Sequence, residues 1–95
     1  MIMIPVNEYF DGTVKSLGYE TAAGKSTVGV MEPGEYEFGT SQLEIMTIVE
    51  GELAVLFQGQ AGWQVFGPGQ SFEVAAKASF RVKTQGQTSY LCQYR

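Results

Sequence analysis

The chain contains no histidine and only one cysteine, Cys92, among its 95 residues. Without histidine, neither a Ser-His nor a Cys-His nucleophile pair can form, and the commonest metal ligand of proteins is missing. A single cysteine cannot form a disulfide within the chain, which is typical of proteins from a reducing compartment. We therefore expect a cytoplasmic protein in which Cys92, placed between two alternating tyrosines, is a small buried side chain.

Basic residues and long apolar runs are also scarce. Six basic residues stand against ten acidic ones, and the net charge of −4 argues against a nucleic-acid surface. This charge still allows a small anion to be held by one or two cations. No apolar run approaches the length of a membrane span, and the apolar start MIMIPV is too short for a signal sequence. We expect no nucleic-acid or membrane partner, and an arm over Met1 to Val6 that packs locally.

Short segments with period-two alternation fill the rest of the sequence. They are separated by turn signals such as Asp11-Gly12 and Gly67-Pro68-Gly69, and the chain has 12 glycines in all. No window carries a sustained helical period, and the pattern indicates about nine short strands. The sequence therefore predicts an all-β protein, one domain over residues 1–95, folded as a small β-barrel or jelly roll.

The stretch PGEYEFGTSQLEIMTIVEG, residues 33–51, reads as two strands joined by a turn. Strand alternation predicts that two sets of side chains each share a face: Tyr36, Phe38 and Thr40 in the first strand, and Glu44, Met46 and Ile48 in the second. Glu44 is thus expected to enter a mostly apolar interior, where a carboxylate must find hydrogen-bond donors or shift its pKa upward. The alternative is that Glu44 lies at a frayed strand start and is simply solvated.

The spacing Phe38-x-Thr40-x3-Glu44-x6-Gly51 resembles the first cupin motif, HxH-x3-E-x6-G. Longer segments resemble the small cupin-like pyrimidine/purine nucleoside phosphorylase family: NEYFDGTVKSLGY at 7–19, VGVMEPGEYEF at 28–38, EIMTIVEGEL at 44–53, WQVFGPGQSFEV at 63–74 and TSYLCQY at 88–94. The resemblance implies a cupin-type barrel. It also implies a broad-specificity pentosyltransferase, which converts purine and pyrimidine nucleosides plus phosphate to free base plus pentose 1-phosphate.

The resemblance also identifies the positions at which cupins bind metal. Phe38 and Thr40 occupy the two histidine positions of the first motif, and Phe80 occupies the histidine position of the second. Glu44 with one thiol cannot make a closed zinc or iron site. We therefore expect no metal and no cofactor, with inorganic phosphate as a co-substrate.

Roles for individual residues follow from the resemblance. Glu44 is the expected catalytic residue, holding ribose hydroxyls, while an aromatic side chain such as Tyr36 or Phe38 would stack on the base. Both rings could equally belong to the core. The remaining expected substrate-binding residues are Thr40 and Gln42, which could also be plain turn residues, and Met46.

Phosphate requires a cation or a nest of backbone amides. Arg81 and Lys83 are expected to point outward, opposite Phe80 and Val82. Two lysines remain as candidates: Lys15, on a face with Leu17 and Tyr19, and Lys25, in a predicted loop over residues 22–25 that could close over a barrel mouth. Either lysine could instead be merely solvated.

Two rival functions remain open at this point. A metal-free cupin barrel can act as a non-catalytic small-molecule sensor. Alternatively, the barrel could be an interaction module whose interior is filled by Phe38, Met46, Phe57 and Phe80. A barrel of this size leaves edge strands that the N-terminal arm could cover, so we also expect a homodimer.

Overall fold

The structure, a computed structural model, describes residues 3–95. Met1 and Ile2, the start of the predicted arm, lie outside the described residues. The described chain forms ten strands: β1 Val6–Tyr9, β2 Val14–Thr21, β3 Gly24–Met31, β4 Gly34–Gly39, β5 Glu44–Glu50, β6 Leu53–Phe57, β7 Gln64–Phe66, β8 Ser71–Val74, β9 Ser79–Thr84 and β10 Thr88–Tyr94. It contains no helix that could cross a membrane. The predicted all-β class is confirmed, with ten strands in place of about nine.

The strands form two antiparallel sheets. One sheet has six strands in the order β1-β2-β3-β10-β5-β8, and the other has four in the order β4-β9-β6-β7. This arrangement is compatible with a small cupin-like fold. The predicted barrel or jelly roll takes an open form, because in the described chain the two sheets are not joined by strand pairing at their edges. Alternation in a sequence sets the face of each side chain, but closure depends on strand tilt and stagger, which alternation does not encode.

The core lies between the two sheets and is built by the inward-facing residue of each alternating pair. In β9, Phe80 and Val82 are buried while Arg81 and Lys83 are exposed, as the sequence predicts. The fully buried aliphatic side chains are Val14, Met31, Ile48, Leu53, Val55 and Val82. Burial of this apolar surface is the main driving force for packing one sheet on the other.

The chain passes from the first sheet to the second at Gly51, between β5 and β6. Gly51 has a φ of 92°, and a Cβ there would lie 2.6 Å from the Thr88 hydroxyl oxygen. Thr88 and Thr84 share a buried hydrogen bond of 2.8 Å beneath this turn. Only glycine satisfies both the backbone conformation and the close approach, so this turn fixes the start of β10, the strand that carries much of the candidate site.

The outer face of the six-stranded sheet carries a row of apolar side chains. Val6 pairs with Leu17, and Leu17 pairs with Val28, so the three lie side by side across β1, β2 and β3. All three are substantially exposed. Lys15 shares this outer face, where its ammonium nitrogen lies 3.9 Å from Glu8 Oε1.

Candidate functional site

A cavity of about 260 Å³ lies between the two sheets. Its lining is mainly aromatic and sulfur-containing, with one carboxylate: Tyr9, Ser16, Met31, Phe38, Gly39, Glu44, Met46, Phe80, Tyr90, Cys92 and Tyr94. Within residues 3–95, no group of three or more His, Cys, Asp or Glu side chains is arranged to hold a metal ion. The cavity therefore offers stacking surfaces and one acidic acceptor for a small organic ligand.

Glu44 enters this cavity from the first position of β5. Its side chain is partly buried, and its Oε1 accepts a hydrogen bond of 3.4 Å from the Cys92 thiol on β10. Burial raises the pKa of the Glu44 carboxyl above its ordinary value of 4.5, and the hydrogen bond from Cys92 opposes part of that increase. The carboxylate thus lies in an apolar site with one neutral donor, where it can accept further hydrogen bonds.

The groups on β10 that face the cavity remain protonated at neutral pH. Burial is the main cause, and the negative charge of Glu44 the second, of an increase in the pKa of the Cys92 thiol to about 12. Burial also raises the pKa of the Tyr90 hydroxyl to about 12 and raises the pKa of the Tyr94 hydroxyl. These groups therefore act as neutral hydrogen-bond donors, and the Cys92 thiolate required of a nucleophile is not populated.

Tyr94 separates the cavity from a second, larger depression. Its hydroxyl shares a hydrogen bond of 3.2 Å with the Thr27 hydroxyl, and it is the direct partner of Glu44 in the β10–β5 ladder. On its other side lies an open groove of about 630 Å³, lined by Met3, Ile4, Pro5, Gly18, Tyr19, Glu20, Lys25, Ser26, Thr27, Gln42 and Tyr94. The groove is the larger of the two, but the carboxylate Glu44 lies in the cavity.

Five of the predicted site residues line these two depressions. Phe38 and Met46 line the cavity together with Glu44, and Gln42 and Lys25 line the groove. The structure therefore brings the predicted carboxylate, one predicted aromatic ring and one predicted polar side chain to the same end of the sheet pair.

Tyr36 and Thr40 occupy structural positions next to the cavity. Tyr36 is buried, its hydroxyl donates to the Glu32 carbonyl oxygen at 2.7 Å, and its ring packs 6.4 Å from that of Phe38. The Thr40 hydroxyl donates to the Ala75 carbonyl oxygen at 2.7 Å and accepts from the Ala78 amide at 3.0 Å. Tyr36 thus packs against Phe38, and the Thr40 hydrogen bonds connect the turn after β4 to the turn before β9.

The two candidate lysines lie on different sides of the six-stranded sheet. Lys25 lies within β3, not in the loop that the sequence predicts, because Gly24 already pairs with Thr21 in the β2–β3 ladder. Gln93 of β10 pairs with Ser26, so the next step along both strands sets Lys25 opposite Tyr94. Lys25, Tyr94 and Glu44 therefore follow one another along a single row, whereas Lys15 lies on the outer face.

Ser16 and Tyr90 are among the cavity residues that come from outside the central stretch and were not among the predicted site residues. Ser16 is 4% exposed and accepts a hydrogen bond of 3.3 Å from the Asn7 amide. Tyr90 is 6% exposed and pairs with Gly29 in the β10–β3 ladder. The only sequence pattern that could have placed these two side chains on the inner face is alternation. Ser16 alternates with Val14 on one face of β2, and Tyr90 alternates with Cys92 in β10.

Trp63 lies away from the cavity, on the outer side of the four-stranded sheet. The Lys83 ammonium nitrogen is 4.1 Å from the centre of its ring, and the Arg81 guanidinium carbon is 5.9 Å away. A cation over an aromatic face is an attractive contact. Trp63 and the two outward cations of β9 therefore form a cluster separate from the candidate site.

Comparison with known proteins gives a consistent result along the chain. The family described as "Pyrimidine/purine nucleoside phosphorylase" matches residues 4–94. A protein of that name from Marinobacter nauticus is 58% identical over 92 residues, which are 97% of this chain and 99% of the relative. One from Pseudomonas putida is 54% identical over 93 residues, covering 98% of this chain and 99% of the relative.

Among solved structures, a protein of unknown function from Vibrio parahaemolyticus superimposes with a TM-score of 0.95 at 45% identity. The match covers 99% of this chain and 100% of that protein. A second protein of unknown function, from an Acinetobacter species, gives a TM-score of 0.92 at 30% identity, covering 98% of this chain and 91% of that protein. The two-sheet architecture is therefore shared with experimentally determined relatives.

Proposed function

Because the chain belongs to the pyrimidine/purine nucleoside phosphorylase family, we propose that it cleaves nucleosides with inorganic phosphate. The products are the free base and a pentose 1-phosphate, which makes the enzyme a pentosyltransferase. The observation that carries this proposal is the match over residues 4–94. The position of Glu44 in an aromatic cavity supports it independently.

The reaction requires stabilisation of positive charge at the sugar. As the bond from C1′ to the base nitrogen breaks, its electron pair leaves with the base, which takes up a proton, and a phosphate oxygen forms the new bond to C1′. The centre has oxocarbenium character, by analogy with glycoside cleavage. We assign Glu44 to the ribose hydroxyls, where its negative charge also stabilises the developing cation. The attacking phosphate contributes through its position and its own charge.

The base is assigned to the aromatic part of the cavity. Phe38 and Tyr90 offer ring surfaces, and Tyr36 packs behind Phe38. Stacking depends on the face of the base and is tolerant of its identity. Hydrogen bonding to the base edge would be more selective, and Ser16, the nearby hydroxyl of β2, already interacts with Asn7. These features favour a broad substrate range that includes purine and pyrimidine nucleosides.

Phosphate is assigned to Lys25, with Lys15 as the alternative. Lys25 and Glu44 are two strand spacings apart on one row, about 10 Å between their backbones. The Arg95 guanidinium donates to the Lys25 carbonyl oxygen at 2.9 Å and to the Tyr94 carbonyl oxygen at 2.8 Å, which brings a second cation to this end of the sheet. Lys15 lies on the outer face beside Glu8, so the geometry favours Lys25.

Metal independence is part of the proposal. The two histidine positions of the first cupin motif hold Phe38 and Thr40, and Phe80 at the third position contributes its ring to the cavity wall. Phe38 and Phe80 have their ring centres 5.8 Å apart. Phenyl rings are not ligands for zinc, iron or manganese, so we assign the reaction to positioning and charge alone.

The decisive experiment measures free base released from several purine and pyrimidine nucleosides, with and without phosphate, by chromatography. We expect release that depends on phosphate and is accompanied by pentose 1-phosphate. Extended treatment with EDTA should leave the rate unchanged. Nucleoside binding without turnover would favour the non-catalytic sensor, and neither binding nor turnover would favour the interaction module. Activity that is lost to EDTA and restored by zinc, iron or manganese would contradict metal independence.

We also propose that the protein is a homodimer. The apolar row of Val6, Leu17 and Val28 is a surface that a second copy of the same sheet could cover. Cytoplasmic location also remains a prediction, based on the single cysteine.

A further inference from the structure

Cys92 is a buried polar group that the proposed reaction does not yet use. It is 2% exposed, and it faces the cavity from the centre of the six-stranded sheet. In the ladders it pairs with Met46 of β5 on one side and with Thr27 of β3 on the other. Glu44 lies two residues from Met46 on the same face of β5, so Cys92 and Glu44 are diagonal neighbours.

The contact between these two side chains leaves half of the carboxylate available. The Cys92 thiol donates to Oε1 at 3.4 Å. Among the described residues none donates to Oε2. Because no fully buried side-chain oxygen in this part of the chain lacks a partner, Oε2 is not fully buried, and Glu44 lines the cavity. The thiol therefore holds one oxygen of Glu44 while the other remains free to accept a ligand hydroxyl.

We infer that Cys92 is a positioning residue: its thiol orients the Glu44 carboxylate so that Oε2 meets the ribose hydroxyls of the nucleoside. This inference rests on the proposed function. A neutral, weakly donating thiol suits the role, because it orients the carboxylate without competing strongly with the substrate. It also favours the charged form of Glu44, since a hydrogen bond to a carboxylate lowers its pKa.

Several other side chains surround the Glu44 carboxylate and contribute to its environment. Tyr90 and Tyr94 face it from β10, and Tyr9 contributes from β1. Phe38 of β4, Phe80 of β9 and Val74, the β8 partner of Glu44, bring no charge. Lys25 lies one strand beyond Tyr94 on the same row. None of these groups replaces the thiol as the donor to Oε1, so removing the thiol should change the titration of Glu44.

The test compares C92A, which removes the donor, with C92S, which retains one. The first readout is the pKa of the Glu44 side-chain carboxyl, measured by ¹³C NMR. The resonance is assigned by comparison with E44Q. The second readout is the pH dependence of kcat/KM for one purine and one pyrimidine nucleoside. V55A, which truncates a buried side chain of the core, controls for general loss of stability.

In C92A we expect the Glu44 pKa to increase, the acidic limb of the kcat/KM profile to move to higher pH, and kcat/KM to fall by about three- to tenfold. C92S should recover most of each change, and V55A should leave the Glu44 pKa unaltered. An unchanged Glu44 pKa in C92A would overturn the inference, as would equal losses in C92A and C92S. Absence of phosphorolysis in the wild type would refute the proposed function, whereas the NMR titration would still decide whether Cys92 orients Glu44.

Discussion

The ring of Tyr90 lies directly over the backbone of Gly29, its partner in the β10–β3 ladder. A Cβ at Gly29 would lie 2.5 Å from the Tyr90 hydroxyl oxygen and 2.8 Å from the Lys15 carbonyl oxygen. Gly29 thus leaves the space that the hydroxyl end of Tyr90, a cavity-lining residue, occupies.

Substitution of Gly29 by alanine should therefore push the Tyr90 ring toward the cavity. We expect G29A to lower stability by about 1–3 kcal/mol, the usual cost of overpacking, and to raise KM for nucleosides. Thermal unfolding and steady-state kinetics measure the two effects. G62A is the matched control, because a Cβ at Gly62 meets no atom within 4 Å. Equal behaviour of the two variants would contradict the close packing of Gly29 against Tyr90 and the Lys15 backbone.

The carboxylate at the cavity wall is the centre of the proposed chemistry. E44Q keeps the shape of the side chain but removes its charge, and the contact to the ribose should be strongest in the transition state. A charge-assisted hydrogen bond contributes about 1.5–3 kcal/mol, so kcat/KM should fall roughly ten- to a hundredfold. Wild-type activity in E44Q would mean that Glu44 is only a solvated strand end. Unfolding without a kinetic defect would mean that it anchors the hairpin.

Stability should respond to pH through the same residue. The folded state raises the pKa of Glu44 above 4.5, so the folded protein holds this proton more tightly than the unfolded chain does. The stabilising contribution is present below pH 4.5 and is lost as the pH rises through the raised value. The difference in melting temperature, E44Q minus wild type, should therefore become more positive as the pH is raised from acidic to neutral. A difference that is constant with pH would contradict the raised pKa.

Removal of the phosphate-binding cation should change one Michaelis constant selectively. K25Q should raise KM for phosphate by about tenfold while leaving KM for the nucleoside nearly unchanged, since a charge-assisted contact to an anion is lost. K15Q tests the alternative candidate on the outer face. K83Q, next to Trp63 on the other sheet, is the control. A selective effect in K15Q, but not in K25Q, would reverse the assignment.

The oligomeric state can be tested with one charge placed on either outer surface. The wild type should be a dimer at micromolar concentration by light scattering. V28K places a lysine in the apolar row of the six-stranded sheet, where Val28 is 41% exposed, and should give monomers because a charge would be buried at the interface. V65K makes the same change on the four-stranded sheet, where Val65 is 57% exposed, and should remain dimeric. A monomeric wild type would contradict the proposal.

Local pattern was sufficient to predict the class of fold and the direction of many side chains. Alternation depends only on neighbouring residues, so the burial of Phe80 and Val82 opposite exposed Arg81 and Lys83 could be read directly. The same reasoning predicted that Glu44 shares a face with Met46 and Ile48, both of which are buried. Motif spacing identified the family, because spacing along the chain is itself a property of the sequence.

Pairing between distant strands was decided only by the tertiary structure. Cys92 and Glu44 are 48 residues apart, and their contact exists because β10 pairs with β5 in one particular register. The same pairing sets Tyr94 beside Glu44, and the pairing of β2 with β3 places Lys25 in a strand instead of the predicted loop. A shift of one residue would have turned each of these side chains to the opposite face. Register and sheet closure depend on how whole surfaces pack, and no short stretch of sequence contains that information.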